Sequence, residues 1–487
     1  MAGSGAPPPA LAQGLVGAAG SLVAHDVNRV FLRISNRGGF GLSLQDNDAG
    51  NFPRGTLNRY LFGAGLWVGG VGDVDADGEP DTLTTIGYNP SNIDEIEWIE
   101  GAVGFNRNDA RFRVLDAGDP ADIPLFPATP VADQELFTIY GDRFSVVTDR
   151  IPSIPLGIEV RQRSFAFIDP ELATAVILQW DFLNISDRIR STGYTIRDLW
   201  TGIVLDPDIQ VSPIGDVNDD TAAPLEIDGE QVLLIWDSDF SEVGFEGRAG
   251  FLAIVPLVNP GGETTVTQLT SGTTPGVLLV PRTDATQYAT LAGIPPRTPT
   301  IAAPGFDMRA LIGWGAVDLA PGAVHRTAAA FVWADASGPP PDFLSPLDPD
   351  LDADLPLIAG LVEAVRAARA AYDERLSTLP ALLDFPGEPA QPAPGDVDIV
   401  LQNYPNPFEQ ETTIEYRIAG AGDVELKVFD LAGRQIADLG SGPREPASFE
   451  TVWDGRNGAG NEVPAGVYVI RLETARGTSS VRALKLP

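Results

Sequence analysis

The sequence predicts an all-β protein: a large multi-stranded antiparallel β-sandwich region with one docking helix at its C-terminal end, followed by a small β-sandwich. Short runs of alternating or wholly apolar residues, bounded by Gly, Pro, Asn and Asp, recur along most of the 487 residues. The 52 glycines and 42 prolines supply turns, and a hydrophobic content of 44% supplies a core. Helical patterns do not separate the runs, which argues against a parallel α/β sheet.

The strand-like runs of the large region share apolar or alternating character and turn residues at both ends. They lie at residues 29–34, 60–68, 134–140, 158–167, 175–183, 195–205, 231–236, 251–258, 310–317 and 326–333.

Residues 356–376 carry a helical pattern, because apolar residues recur there every three or four positions. These residues are Leu357, Leu361, Val365, Ala368, Tyr372 and Leu376. Asp354 suits the N-cap and Pro356 the first turn, and preceding acids at 348, 350 and 352 suit the helix dipole. We expect the helix to pack across an open edge or end of the large β region.

Composition divides the chain into four regions. Residues 1–26 are rich in Ala, Gly and Pro and predict a flexible arm or the remnant of a leader. Residues 27–378 form the β-rich region, as one sandwich or two. The proline-rich segment 379–396 predicts an extended linker, and residues 397–487 form the last domain.

The net charge of −35 excludes nucleic acid as a favoured partner, because a phosphate backbone is bound through Lys and Arg. The chain has no cysteine, so it contains neither disulfides nor thiolate metal sites. It also lacks the uninterrupted apolar stretch of about 18 residues that a transmembrane helix needs. An acidic surface suits either a calcium-rich exterior or simple solubility.

The last domain shows brief strands with regular turn signals, at residues 412–418, 424–430, 435–439, 448–453, 466–473 and 479–486. This spacing is typical of a small β-sandwich. Three motifs punctuate it. The motif residues are Tyr404, Pro405, Asn406, Pro407 and Phe408, then Trp453, Asp454 and Gly455, then Gly466 and Tyr468.

In their order and spacing, these motifs resemble the type A C-terminal sorting domains of type IX secretion cargo, and also the Ig-like domain of the flagellar hook-capping protein. The resemblance implies an Ig-like sandwich that the type IX translocon recognises after Sec export. It implies a secreted protein, extracellular or on the outer-membrane surface of a Gram-negative bacterium. A surface peptidase would then remove the domain. The large region resembles uncharacterised secreted β proteins that end in the same domain, and no activity comes with that likeness.

A candidate calcium loop contains Asp73, Asp75, Asp77 and Asp81 at positions 1, 3, 5 and 9, with Gly78 at position 6. Calcium binds six to eight oxygens, and a glycine allows the sharp turn that directs alternate side chains at one ion. Position 12 is a threonine, so the loop is not a standard helix-flanked calcium site. The alternative is a solvated hairpin tip joining residues 67–71 to 83–86.

A second candidate metal site is less regular. Its residues are Asp206, Asp208, Asp216, Asn218 and Asp220. Asp237 and Asp239 follow a strand and could approach the same place. The alternative is an ordinary polar loop.

Catalytic candidates are few. His25 and His325 are the only histidines, and the sequence has no Gly-x-Ser-x-Gly elbow. A glycosidase needs only two carboxylates, and acids at 95, 97 and 100 surround Trp98, on which a sugar could stack. Exposed Trp67, Trp98 or Trp236 on one face would indicate a carbohydrate-binding module.

The sequence therefore favours a secreted, non-catalytic structural or adhesive protein at the cell surface. Open strand edges would allow self-association into a homo-oligomer or filament. The alternatives are a carbohydrate-binding module or a glycan-active hydrolase that binds a surface glycan.

Overall fold

The computed structural model describes nineteen stretches of the chain and two single positions in detail. The stretches are residues 22–42, 49–74, 78–91, 96–100, 113–116, 131–142, 155–189, 193–211, 215–238, 242–270, 277–294, 307–337, 355–381, 399–404, 410–418, 422–430, 434–444, 447–474 and 477–486, and the single positions are 240 and 408. These residues fall into two compact units. The larger holds those of 22–185 and 194–381, and the smaller holds 186–189, 193 and 399–486.

The described part of the larger unit contains twenty strands. They are β1 Leu22–His25, β2 Phe31–Ser35, β3 Gly39–Phe40, β4 Gly50–Asn51, β5 Arg59–Leu61, β6 Gly63–Gly72, β7 Asp81–Ile86, β8 Ile99–Glu100, β9 Arg113–Asp116, β10 Gln134–Gly141, β11 Ile158–Ala166, β12 Ala175–Asn184, β13 Ile196–Asp206, β14 Asp220–Ile227, β15 Glu230–Asp237, β16 Phe251–Val258, β17 Glu263–Thr270, β18 Leu278–Leu279, β19 Met308–Leu319 and β20 Val324–Ala334.

The helices are α1 Ser186–Ile189, α2 Asp284–Leu291 and α3 Leu355–Ala371, which continues as a π-helical turn, Tyr372–Leu376. Within the described ranges, no helix has the length and apolar character needed to cross a membrane.

The twenty strands build two sheets. The first sheet has the order β18-β17-β19-β13-β6-β3-β2-β4-β5, with β1 beside β2 and β7 beside β6. The second has the order β14-β15-β16-β20-β12-β11-β10-β8, with β9 beside β10. The described pairings are antiparallel except for that of β17 with β18. The predicted all-β, antiparallel class is confirmed.

Side chains of the second sheet alternate between two cores, as the period of two in a strand requires. In β20, Phe331 and Trp333 enter the core shared with the first sheet, while Ala330 and Val332 enter a second core shared with α3. β12, β15 and β16 alternate in the same way. The larger unit is thus layered as sheet, sheet and helix.

The helix forms where the sequence predicts it, but its position differs from the expectation. Its predicted apolar residues, from Leu357 to Leu376, are buried in the second core. α3 packs against β12, β16 and β20, which are inner strands of the second sheet, so the predicted packing across an edge or end is wrong. The physical reason is the apolar outer face of those strands, which needs a cover.

The structure differs from the sequence analysis at the N-terminal strand β1 and at the helix α2. The predicted arm ends too late, because Leu22–His25 pairs with β2 as β1, and His25 is fully buried. Residues 1–21 lie outside the described ranges. The helix α2 was not predicted, because its sequence DATQYATL is short and two of its four apolar residues are alanine. A reciprocal capping box between Thr283 and Thr286 begins it.

The smaller unit is a two-sheet sandwich of seven described strands and the short helix α1. Its strands are β21 Ile399–Tyr404, β22 Thr412–Ile418, β23 Gly422–Asp430, β24 Gln435–Arg444, β25 Ala447–Trp453, β26 Gly466–Thr474 and β27 Gly477–Lys485. The sheets are β21-β22-β25 and β24-β23-β26-β27. Between them lies a core that includes Ile414, Leu426 and Ile470.

Replacement of Leu361 by Ala tests the role of α3 as the cover of the second sheet. Leu361 is fully buried in the second core. We expect the free energy of unfolding to fall by about 2–5 kcal/mol, because the substitution leaves a cavity. Denaturant unfolding of the full chain measures this loss. Glu363→Ala, on the exposed side of the same helix turn, should change the value by less than about 0.5 kcal/mol. Equal effects of the two variants would contradict the proposed layering.

Candidate functional sites

One group of acidic side chains lies where β13 ends. Oxygens of Asp206, Asp208 and Asp307 lie within 4.8 Å of one another. Arg309 lies in the neighbouring strand β19, with its Nε 3.0 Å from Asp206 Oδ1, and it also pairs with Asp307. Arg59 Nη2 lies 2.7 Å from Asp208 Oδ2. Two guanidinium groups therefore compensate three carboxylates, and this cluster is an ion-pair network.

Burial raises the pKa of both inner carboxyl groups of this network. The pKa of Asp206 lies well above its ordinary value, because burial outweighs the favourable charge of Arg309. The pKa of Asp208 rises to about 6, against the opposing effect of Arg59. The arginines thus only partly offset the loss of hydration.

A second acidic group lies at the open end of the β14–β15 hairpin. Oxygens of Asp219, Asp237 and Glu242 lie within 4.8 Å of one another. Asp219 precedes β14, Asp237 ends β15, and Glu242 follows in the next loop. Burial, followed by the charges of Asp237 and Asp219, raises the pKa of Glu242 to about 8. Three acids are thus held close together.

Asp220 lies directly opposite Asp237 in the β14–β15 pairing. Its Oδ2 accepts a hydrogen bond from the Ile209 N–H at 3.0 Å. Its Oδ1 is buried and has no hydrogen-bond partner among the described residues. Burial raises the pKa of Asp220 well above its ordinary value, and the charges of Asp208, Asp237 and Asp219 raise it further.

The five residues of the second predicted metal site do not form one cluster. Asp206 and Asp208 belong to the ion-pair network, and Asp220 lies near the hairpin group. Asp216 is exposed, and its Oδ1 accepts hydrogen bonds from the backbone and side-chain N–H groups of Asn218 at 2.9 and 2.7 Å. These two residues close their own turn. The expected approach of Asp237 is observed, while Asp239 lies outside the described residues.

Sequence reasoning missed Asp219, Glu242 and Asp307 as members of these groups. Asp219 stands inside the recognised acidic run but breaks its alternate spacing. Glu242 and Asp307 lie in loops with no motif around them, so only the fold brings them to the other acids.

The candidate calcium loop forms the tip of the β6–β7 hairpin, in which Trp67 pairs with Ile86. Asp81 Oδ2 accepts a hydrogen bond from the Val74 N–H at 3.0 Å, and Asp73 Oδ2 accepts one from the Gly78 N–H at 3.2 Å. Gly78 has a φ of +93°, as expected for a sharp turn. Asp75 and Asp77 lie outside the described residues, so calcium binding there stays a prediction.

The aromatic residues considered for sugar stacking do not lie on the surface. All eight tryptophans of the chain are buried, and Trp67, Trp98 and Trp236 are 0%, 1% and 3% exposed. Glu97 beside Trp98 accepts the Ile86 N–H at 3.0 Å. Glu95 and the side chain of Glu100 lie outside the described set. Trp67, Trp98 and Trp236 therefore do not form the exposed face that would indicate a carbohydrate-binding module.

Both histidines contact structural partners. His25 Nδ1 lies 3.1 Å from Gln134 Oε1, and His25 Nε2 lies 2.7 Å from Ser164 Oγ. Burial lowers the pKa of His25 from 6.5 to about 3. His325 stacks on Phe182 with ring centroids 6.5 Å apart, and burial lowers its pKa as well.

The motif residues of the smaller unit pack around Trp453. Its ring centroid lies 5.3 Å from that of Phe408 and 5.1 Å from that of Tyr468. Trp453 Nε1 donates to the Arg456 carbonyl at 3.0 Å, and the Tyr468 hydroxyl donates to the Pro464 carbonyl at 2.7 Å. Trp453 and Tyr468 are therefore core aromatics of this unit.

The other motif residues shape the turns and ends of strands. Asp454 Oδ1 accepts the Arg456 N–H at 3.1 Å, and Gly455 has a φ of +65°. A Cβ at Gly455 would lie 2.7 Å from Lys485 Cε, so a side chain there would displace the lysine as well as adopt a strained backbone conformation. Gly466 begins β26 and Tyr404 ends β21. Pro405, Asn406 and Pro407 lie outside the described residues.

The smaller unit matches a known family. The model of the FlgD Ig-like domain matches residues 406–478, which confirms the predicted Ig-like sandwich. No curated protein matches the chain significantly.

Two solved structures are similar over much of the chain, at low scores. A polysaccharide lyase shares 10% identity, with a TM-score of 0.19, over 70% of this chain and 39% of the lyase. The dimeric latent PorU of Porphyromonas gingivalis shares 11% identity, with a TM-score of 0.17, over 72% of this chain and 31% of PorU. The chain thus spans well under half of either structure, and scores of this size carry no argument about function.

Replacement of His25 tests its buried, neutral state. The unfolded chain takes up a proton below about pH 6.5, whereas folded His25 resists protonation down to about pH 3. We expect this group to lower the free energy of unfolding by about 1.4 kcal/mol per pH unit as the pH falls through that window. The stability difference between wild type and His25→Gln should therefore shrink on acidification.

Chemical denaturation at several pH values measures the free energy of unfolding of both proteins. The buried carboxyl groups are the same in the two proteins, so their contributions cancel when one free energy is subtracted from the other. His325→Gln serves as the control, since it keeps the contribution of His25. A difference between wild type and His25→Gln that stays constant with pH contradicts the prediction.

Replacement of Trp453 by Ala should destabilise the Ig-like domain by about 3–5 kcal/mol, because Trp453 is 1% exposed and contacts two other rings. Hydrogen exchange on the full chain should show faster opening of residues 399–486 alone. Val452→Ala is the matched control, since Val452 precedes Trp453 in the chain and is itself 52% exposed. Unchanged exchange in Trp453→Ala would exclude Trp453 as the centre of this core.

Proposed function

We propose that the chain is an exported, non-catalytic cell-surface protein whose C-terminal Ig-like domain directs it through the type IX secretion translocon of a Gram-negative bacterium. The observation that carries the proposal is the Ig-like domain, whose motif residues occur in the order found in type A sorting domains. The packing of Phe408, Trp453 and Tyr468 into one core supports it, because it gives the motif a structural basis.

The larger unit would then be the passenger, with a structural or adhesive role. Its eight-residue to twelve-residue strands and its three layers suit a stable scaffold. The buried contacts of His25 and the burial of the tryptophans support a structural role in preference to a glycan-active hydrolase or a carbohydrate-binding module.

Self-association is a second part of this proposal. Strand edges that stay open can pair with a second copy. The edge strand β14 contains Pro224, which lacks an N–H donor, so strand addition is disfavoured at that edge of the second sheet. Homo-oligomer or filament formation would therefore use another surface, and light scattering of the full chain at increasing concentration tests it.

Export provides the direct test. The full chain, supplied with a Sec leader, is expressed in a bacterium with a working type IX system and in a matched strain that lacks the translocon. We expect protease-accessible protein at the surface only in the first strain. A chain that ends at residue 396 should stay in the periplasm in both strains.

The variants of the core separate recognition of a folded domain from recognition of a linear signal. Val452→Ala should be exported like the wild type, and Trp453→Ala should be exported less if the translocon recognises the folded sandwich. Surface delivery of the chain ending at residue 396, at the level of the full chain, would overturn the proposal.

A further inference from the structure

We propose that the open edge of β17 pairs with β17 of a second copy of the chain, an inference that rests on the self-association part of the proposed function. Residues 263–270 pair with β19 along their whole length, whereas β18 pairs only with Leu269 and Thr270 on the other side. Within the described part of the chain, residues 263–267 therefore form an open strand edge. Such an edge can bind an extended segment of another chain through its backbone groups.

The backbone groups of Thr264 and Val266 face the open side. The Val280 N–H donates to the Thr270 carbonyl at 3.0 Å, so the backbone of Thr270 faces away from β19. Along a paired strand, successive residues direct their backbone groups to opposite sides, so Thr264 and Val266 face the same way as Thr270. The pairing with β19 has no bulge that would change this alternation. The edge thus presents N–H donors and carbonyl acceptors in register.

The sequence of β17 lacks the features that protect an edge strand. Residues 263–270 contain neither proline nor lysine, whereas the edge strand β14 contains Pro224. The two edges lie next to each other, because Gln268 Nε2 donates to the Ala222 carbonyl of β14 at 2.7 Å. At this end of the larger unit, strand addition is therefore disfavoured at β14 and open at β17.

The charge of the chain favours a second copy at this edge. Each copy carries a net charge of −35, so two copies repel each other wherever acidic surfaces meet. Residues 263–270 contain a single charged side chain, Glu263, and residues 264–268 are half-exposed. Two copies can therefore approach through β17 with little local repulsion.

An antiparallel pairing centred on Thr265 satisfies both the backbone and the side chains. It places Thr264 of one copy opposite Val266 of the other, and each such pair exchanges two N–H···O bonds. Glu263 then lies opposite Thr267, so the two carboxylates do not face each other. The same residues serve both copies, so the assembly closes as a two-fold dimer.

Two exposed apolar side chains flank the edge. Leu279 is 60% exposed and lies opposite Thr270 in β18. Ile294 is 53% exposed and follows Gly293, where a Cβ would lie 2.8 Å from Thr265 Cγ2. Because the pairing is centred on Thr265, it brings Ile294 of one copy towards Ile294 of the other. Burial of these side chains would add apolar contact to the backbone hydrogen bonds.

Sedimentation velocity of the purified full chain tests the pairing at concentrations up to about 1 mM, the order of effective concentration that tethering provides. We expect dimers whose fraction rises with concentration. The fraction should rise further between about 0.15 M and about 1 M NaCl, because the Debye length falls from about 8 Å to about 3 Å and screens the repulsion. Hydrogen exchange within residues 263–268 should slow as dimers form, because the N–H groups of Thr264 and Val266 become paired.

Two variants locate the interface. Val266→Pro removes an N–H that faces the open side and keeps the ladder with β19. Ile294→Ser removes an exposed apolar side chain from each copy. We expect each variant to weaken dimerisation at least about tenfold. Val243→Ser changes a side chain that is 68% exposed in the loop after β15, and this matched control should dimerise like the wild type.

A chain that stays monomeric at both salt concentrations would overturn the proposal. A dimer that keeps its affinity in Ile294→Ser and in folded Val266→Pro would overturn it as well, because it would use another surface. Ile294 is exposed, so its variant keeps the test valid even where Val266→Pro fails to fold. The measurements use purified protein, whereas export is measured in cells, so failure of the pairing and failure of the export proposal are distinguishable.

Discussion

Burial of both faces of the second sheet is the constraint on which the larger unit depends. Most sheets with polar and apolar residues in alternation need a cover on one side only. Here the residues on both faces of β12, β15, β16 and β20 are apolar, so both faces of the sheet must be shielded from water. The first sheet covers one face, and α3 covers the other. The order of the layers follows from this requirement.

The same burial determines which side chains remain available to bind a ligand. Large aromatic side chains fill the space between the layers, so they cannot form a binding face. Polar groups drawn inside are compensated locally, as in the pairs of Arg309 with Asp206 and of His25 with Gln134. At the hairpin group, oxygens of Asp219, Asp237 and Glu242 lie within 4.8 Å of one another. Burial and the charges of Asp237 and Asp219 raise the pKa of Glu242 there to about 8.

The periodicity of the sequence was sufficient to locate the main strands and α3, since burial imposes a period of two or of about 3.6 on those segments. It could not show which part of the sheet α3 covers. Strands such as 328–334 are apolar throughout, so their sequence does not distinguish the face that packs on the first sheet from the face that packs on α3. β14 was missed, since Pro224 and the acids at its start are typical of a loop. Without β14, the pairing of Asp220 with Asp237 could not be foreseen, and neither could the acidic group that depends on it. Glu242 joins through a loop whose path no local pattern encodes.

The place of α3 in the chain affects how the protein is made. All twenty described strands of the larger unit precede it in sequence. During synthesis, or during N-terminus-first passage through a membrane, the outer face of the second sheet therefore stays uncovered until residue 376 has emerged. An uncovered apolar sheet is prone to aggregate. The second sheet is therefore protected only after the last helix of the larger unit is available.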